Sequence, residues 1–126
     1  MQVKIDTREK FHAITILEPV LAANMTADLD KYLLPVLQNG VKNVVLILKD
    51  TKNIEDAAAE RLMRIQETFY DSGLSFVICE LTPEVESSLE SSGLLEFMNV
   101  TPTESEAIDI LHMEEIEREL LNGPDL

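Results

Sequence analysis

The chain has 126 residues, of which 45% are apolar and 27% charged, and ten basic residues face 24 acidic ones for a net charge of −14. That length forms one domain able to bury a core without metals or disulfides, while the charge excludes nucleic acid and membrane surfaces, which are held through Lys/Arg clusters. The longest apolar run, Val44 to Leu48, is far short of the roughly 20 residues that span a bilayer. No basic region followed by an apolar stretch opens the chain and Cys79 is the single cysteine, so the expected setting is a reducing cytoplasm.

Val3 to Ile5 and Phe11 to Leu17 alternate in polarity around a polar turn, which predicts a β-hairpin. Glu18 to Met25 reads as a loop. Thr26 is the expected N-cap of a helix over 26–38, with Asp28 in its first turn, Leu29, Leu33, Val36 and Leu37 at helical spacing, and Gly40 as the C′ residue. Pro35 removes a hydrogen bond and should kink or tighten the last turn. Val44 to Leu48 reads as a strand buried on both faces, as in the middle of a parallel sheet.

Residues 49–55 form a polar loop, and from Asp56 the pattern turns helical. Ala58, Leu62, Ile65 and Phe69 make one stripe, Glu60 and Arg64 are placed for an i,i+4 ion pair, and Ser72-Gly73 ends the helix. Leu74 to Cys79 is the next strand. Thr82-Pro83-Glu84 combines a capping hydroxyl, a first-turn Pro and an acid, with Val85 and Leu89 facing inward and Gly93 closing. Phe97 to Val100 is a further short apolar segment, and Thr103 with Glu106 fits a capping box before a helix over 103–121. The order β-β-α-β-α-β-α-β-α predicts an α/β fold: a four- or five-stranded, mostly parallel sheet with about four helices mainly on one face. We expect a domain over 1–111, with 112–126 as an acidic helix extension and tail. Met113, Ile116 and Leu120 continue an apolar stripe there, which is expected either to fold back on its own domain or to form a homo-oligomer contact through residues 112–121.

Catalytic constellations are missing. The sequence holds no Gly-x-Ser-x-Gly elbow and no Gly-rich phosphate loop. His12 reads as a strand side chain, His112 as a helix-surface residue, and Cys79 as a small apolar residue at a strand end. No Cys/His set converges for zinc, so neither a metal nor a cofactor is expected, nor an enzyme. The loop Thr51-Lys52-Asn53-Ile54-Glu55-Asp56 stands out because ligands of open α/β sheets meet the carboxyl ends of strands. Asp56 there is a favoured N-cap whose charge complements the helix dipole.

This strand-loop-helix resembles the signature of the STAS domain family (sulfate transporter and anti-sigma factor antagonist): a hydrophobic strand, a short loop, then Asp-Ser-Ser-Gly opening a helix. Val44 to Leu48 matches the strand and Ile54 the apolar residue before the motif. Glu55 falls on the family Asp, Asp56 on the serine that becomes phosphorylated, Ala57 on the second Ser and Ala58 on the Gly. Gly73 to Ile78, Thr82-Pro83-Glu84-Val85, Ser92-Gly93-Leu94 and Thr103 to Leu111 resemble later family segments. Two departures stand beside the match. No Ser or Thr lies between Thr51 and Thr68, and the family's Asp-x-x-Thr-Ala reads Ala23-Asn24-Met25-Thr26-Ala27.

The resemblance implies a non-enzymatic regulatory module, similar to an anti-sigma factor antagonist, that binds an anti-sigma factor of kinase-like architecture without the usual phosphorylatable serine. The implied contact is Lys52, Asn53, Glu55, Asp56, Ala59 and Met63, with Ala59 and Met63 as an exposed apolar pair. The alternative is a structural STAS subunit of a signalling scaffold or a lipid-transport complex.

Overall fold

The computed structural model describes residues 1–122, so the last four residues of the expected tail lie outside it. In chain order the elements are β1 (Val3–Thr7), β2 (Phe11–Ile16), β3 (Val20–Leu21), α1 (Thr26–Leu33), β4 (Asn43–Ile47), β5 (Asn53–Ile54), α2 (Asp56–Asp71), β6 (Phe76–Cys79), α3 (Pro83–Ser91), β7 (Val100–Thr101) and α4 (Glu104–Asn122). The five-stranded sheet has the order β1-β2-β4-β6-β7. The β1–β2 hairpin is antiparallel, pairing Val3 with Ile16, and the other three pairings are parallel. This is the mostly parallel α/β sheet the alternation of elements predicts.

Alternate residues of each strand go to opposite faces, and both faces are covered. Ile14, Ile16, Val44, Leu46, Phe76 and Ile78 pack against Leu29 and Leu33 of α1, Leu62, Ile65 and Phe69 of α2, and Val85 and Leu89 of α3. Ala13, Val45, Ile47, Val77 and Cys79 pack against Ala107 and Leu111 of α4. Three helices therefore lie on one face and α4 alone on the other. That arrangement explains why Val44 to Leu48 contains no polar residue: each is buried whichever way it points. Phe69 and Phe76, the largest fully buried side chains, set their rings at a tilt with centroids 5.1 Å apart.

Several local expectations change. The predicted 26–38 helix is α only to Leu33 and continues as a 3₁₀ helix, Leu34–Gln38, with Pro35 near its start. Thr26 is not the cap. A 3₁₀ turn, Ala23–Met25, leads into α1, so Met25 takes the cap position and Thr26 is already helical. Asn39, extended at φ −84° and ψ 164°, closes the segment, and the left-handed glycines are Gly73 and Gly93 instead of Gly40. Those two end α2 and α3, where Leu74 N–H reaches the Phe69 carbonyl and Leu94 N–H the Leu89 carbonyl. Glu60 and Arg64 do not pair among the described residues, whereas Arg61 joins α2 to Asp30 of α1. The expected capping box is half formed. Thr103 Oγ1 accepts from Glu106 N–H at 3.2 Å, but the Glu106 carboxylate takes the Thr103 hydroxyl and not its amide. The Glu104 amide is held by Glu80 Oε2 at 2.7 Å. Glu80 sits in the left-handed region at φ 59°, and this charge-assisted bond to a helix start offsets that strain.

Candidate functional site

The loop between β4 and α2 is fixed by backbone bonding that its composition does not advertise. β3 and β5, two residues each, pair in parallel as Val20 with Asn53 and Leu21 with Ile54. Lys52 and Asn53 N–H both donate to the Pro19 carbonyl, at 2.8 and 3.1 Å, and Glu55 N–H donates to the Leu21 carbonyl at 2.9 Å. Fully buried Thr51 donates its hydroxyl to the Glu18 carbonyl at 2.8 Å, and its own carbonyl accepts the Thr82 hydroxyl at 2.9 Å. The Thr82 oxygen also accepts Val85 N–H at the start of α3, as its N-cap reading requires. The Pro19, Thr51 and Thr82 loops are thus stitched together at the carboxyl end of the sheet, and the surface they present is preorganised.

On that base the helix start differs from expectation by one residue. Glu55, extended at φ −86° and ψ 153°, is the N-cap of α2, and Asp56 is its first helical residue. The Glu55 side chain does not cap its own helix. Its Oε1 accepts the Ala23 backbone N–H at 2.6 Å, tying the loop to the segment before α1. Asp56 is exposed in the first turn, where its negative charge complements the helix dipole. Lys52 and Asn53 are exposed beside it. Ala59 corrects the expectation of an exposed apolar pair: it is 2% exposed, within the core, because α2 packs on α1 as well as on the sheet. Met63 is half-buried. The exposed group is therefore Lys52, Asn53, Glu55 and Asp56, with Met63 two turns along.

An open groove of about 340 Å³ runs from this helix start towards α3, lined by Ile54, Asp56, Ser87, Ser88, Ser91 and Ser92. Sequence reasoning missed its α3 side, although serine doublets four residues apart must fall on one helix face.

Elsewhere the reactive groups are engaged or shielded. Burial pushes the Cys79 thiol up to about 12, and the neighbouring charges of Glu80 and Glu104 add to the effect. His12 bonds Thr7 and the Val41 carbonyl, both at 2.9 Å, as a strand side chain. Exposed His112 sets its ring edge-on to Phe11. Among the described residues no group of three or more His, Cys, Asp or Glu could hold a metal ion, and no helix is long and apolar enough to cross a membrane.

A second polar cluster, which sequence reasoning missed entirely, lies at the opposite end of the sheet. Glu114 Oε1 accepts from the Tyr70 hydroxyl at 2.8 Å and the Ser75 hydroxyl at 2.7 Å. Asn99 Nδ2 donates to the Tyr70 oxygen at 2.6 Å, and Arg118 donates to Ser75 Oγ at 2.9 Å. Burial, then the Glu114 hydrogen bond and charge, push the Tyr70 phenol up to about 12. These bonds fasten α4 beyond its apolar contacts.

Comparison with known proteins places this architecture. The family model described as STAS domain matches residues 2–107. A search of curated protein sequences found no match. Among solved structures, an anti-sigma factor antagonist from Mycobacterium paratuberculosis superposes with a TM-score of 0.75 at 12% identity, over 88% of this chain and 93% of that one. A serine-to-glutamate variant of Moorella thermoacetica RsbS gives 0.73 at 20% identity, over 94% and 99%. A chain from the stressosome, described as a signal integration and transduction hub, gives 0.67 at 19% identity, over 91% and 99%. At such identities the likeness is one of fold. The family match over most of the chain, on a sheet and helix order that agree with it, makes this protein a member of the STAS domain family.

Proposed function

We propose that this protein is a cytoplasmic, non-enzymatic docking module that binds a protein partner through Lys52, Asn53, Glu55 and Asp56 at the start of α2, with Met63 at the edge of the contact. One observation carries the reading. The residue on the family's phosphoserine position is Asp56, an exposed carboxylate at the first turn of a rigidly held helix. A phosphoserine carries about −1.5 to −2 at pH 7 with three acceptor oxygens, and an aspartate only −1 with two. Asp56 therefore presents a permanent, weaker charge that no phosphatase removes. The partner implied by the family is an anti-sigma factor of kinase-like architecture. Its release would then be governed by its abundance or assembly and not by phosphorylation of residue 56.

A second reading, a structural subunit of a signalling scaffold, is favoured by the lack of any hydroxyl residue from Lys52 to Glu67. The likeness to a stressosome chain supports it. Affinity capture from the native lysate, with wild-type and Asp56→Lys chains as parallel baits and mass spectrometry as the readout, tests the proposal. A protein held by wild type and lost with Asp56→Lys supports it, and an identical set on both baits overturns it. Capture of a kinase-like protein or of further STAS chains separates the two readings.

A further inference from the structure

The apolar stripe of α4 lies largely off the domain, with Ile116 at the edge of a groove that Glu9 and Lys10 of the β1–β2 turn also line. The inward face of this helix is set by Ala107 and Leu111, both fully buried, and by the bonds of Glu114 and Arg118 to Tyr70 and Ser75. At about 100° per residue Ile116 lies half a turn from Ala107, and Met113 and Leu120 fall within about 60° of Ile116. The three are 55%, 56% and 80% exposed. Rolling the helix to bury them would withdraw Leu111 from the sheet and break the Glu114 bonds, so the domain cannot cover its own stripe.

We infer that Met113, Ile116 and Leu120 dock a basic amphipathic helix of another protein. Their i, i+3, i+7 spacing is that of a helix-packing seam. Charge selects the occupant. α4 carries seven carboxylates against one arginine, and that arginine is engaged at Ser75. Asp109 lies in line with the stripe, with Glu106 and Glu117 on one side and Glu119 on the other. A second copy of the chain would bring a second set of carboxylates to the same seam, and like charges juxtaposed across an interface are costly. The stripe is about 10 Å long at 1.5 Å rise per residue, too short to hold two copies against that repulsion. A helix bearing Lys or Arg beside an apolar seam meets both the stripe and its acidic border.

The test uses the full chain and a designed helical peptide with Leu at the seam and Lys beside it, against the same peptide with Glu in place of Lys. Fluorescence anisotropy follows binding to wild type and to the Ile116→Gln/Leu120→Gln double variant, whose net charge is unchanged. Sedimentation equilibrium of the chain alone is run in parallel. The expected result is micromolar binding of the Lys peptide, at least tenfold weaker for the variant, weakened by salt, and absent for the Glu peptide, with the chain itself monomeric. Equal binding by wild type and variant would show attraction by charge alone and overturn the inference, as would no binding by wild type. A dimer dissolved by the double variant would assign the stripe to a second copy and overturn it too.

Discussion

The Glu55 carboxylate accepts the backbone N–H of Ala23 at 2.6 Å across 32 residues of chain. The bond joins the N-cap of α2 to the turn that leads into α1, and so couples the two segments that border the proposed contact surface.

Glu55→Ala should therefore lower stability by about 1 kcal/mol, the worth of a typical intramolecular hydrogen bond, because solvent around the exposed carboxylate removes most of the gain from its charge. Glu55→Gln, which keeps an acceptor without the charge, should cost less. Hydrogen exchange at the Ala23 amide checks the cause directly. Exchange should accelerate in Glu55→Ala, and an unchanged rate would mean that the bond contributes nothing in solution.

Because Glu55 holds the cap position, Asp56 contributes through the helix dipole and not as a cap. Asp56→Ser and Asp56→Ala should then cost the same modest amount, about 0.3–1 kcal/mol, with the loss reduced by added salt. Urea unfolding of the two variants decides this. A clear advantage of Ser over Ala would restore a capping role to residue 56.

Tyr70 makes alkaline stability depend on the α4 anchor. Its phenol is held near 12 against an ordinary 10.0, so between those pH values the unfolded chain loses the proton while the folded chain keeps it. The unfolded state then binds fewer protons, and stability falls with rising pH. The contribution is whole below pH 10 and lost by about pH 12. Tyr70→Phe should flatten this alkaline limb and, by removing a donor to Glu114, lower stability near neutrality by about 1 kcal/mol. Denaturant unfolding across pH 8–11 gives both readouts, and an alkaline limb of the same slope in the variant would contradict the assignment.

A related expectation concerns Cys79. Raising a thiol from 9.0 to about 12 leaves about a thousandfold less thiolate. The native chain should resist a thiol reagent near pH 8 and react once denatured. Rapid labelling of the folded chain would show that the strand end opens.

The long elements were legible because their apolar periods are long enough to be distinctive. The stripe of Ala58, Leu62, Ile65 and Phe69 and the run Val44 to Leu48 point to one interior, and the structure builds it. What failed was short or non-local. β3 and β5 are two residues each, and their pairing depends on register between distant loops. The caps of α1 and α2 differ from the residues their sequences favour because a 3₁₀ turn precedes the first and Glu55, a residue less favoured at that position, occupies the second. A single-face stripe leaves Ala59 exposed because it takes no account of packing on α1. The Tyr70–Ser75–Asn99–Glu114 cluster spans 44 residues and leaves no local pattern.

The proposal that a permanent carboxylate at residue 56 recognises the partner is tested most directly by calorimetric titration of the captured partner into wild-type, Asp56→Ser and Asp56→Ala chains. The account predicts that both variants bind at least tenfold more weakly, a loss of about 1.4 kcal/mol or more, because both lack the charge. Binding of Asp56→Ser as tight as that of wild type, with only Asp56→Ala weakened, would contradict it and show that recognition does not use the charge.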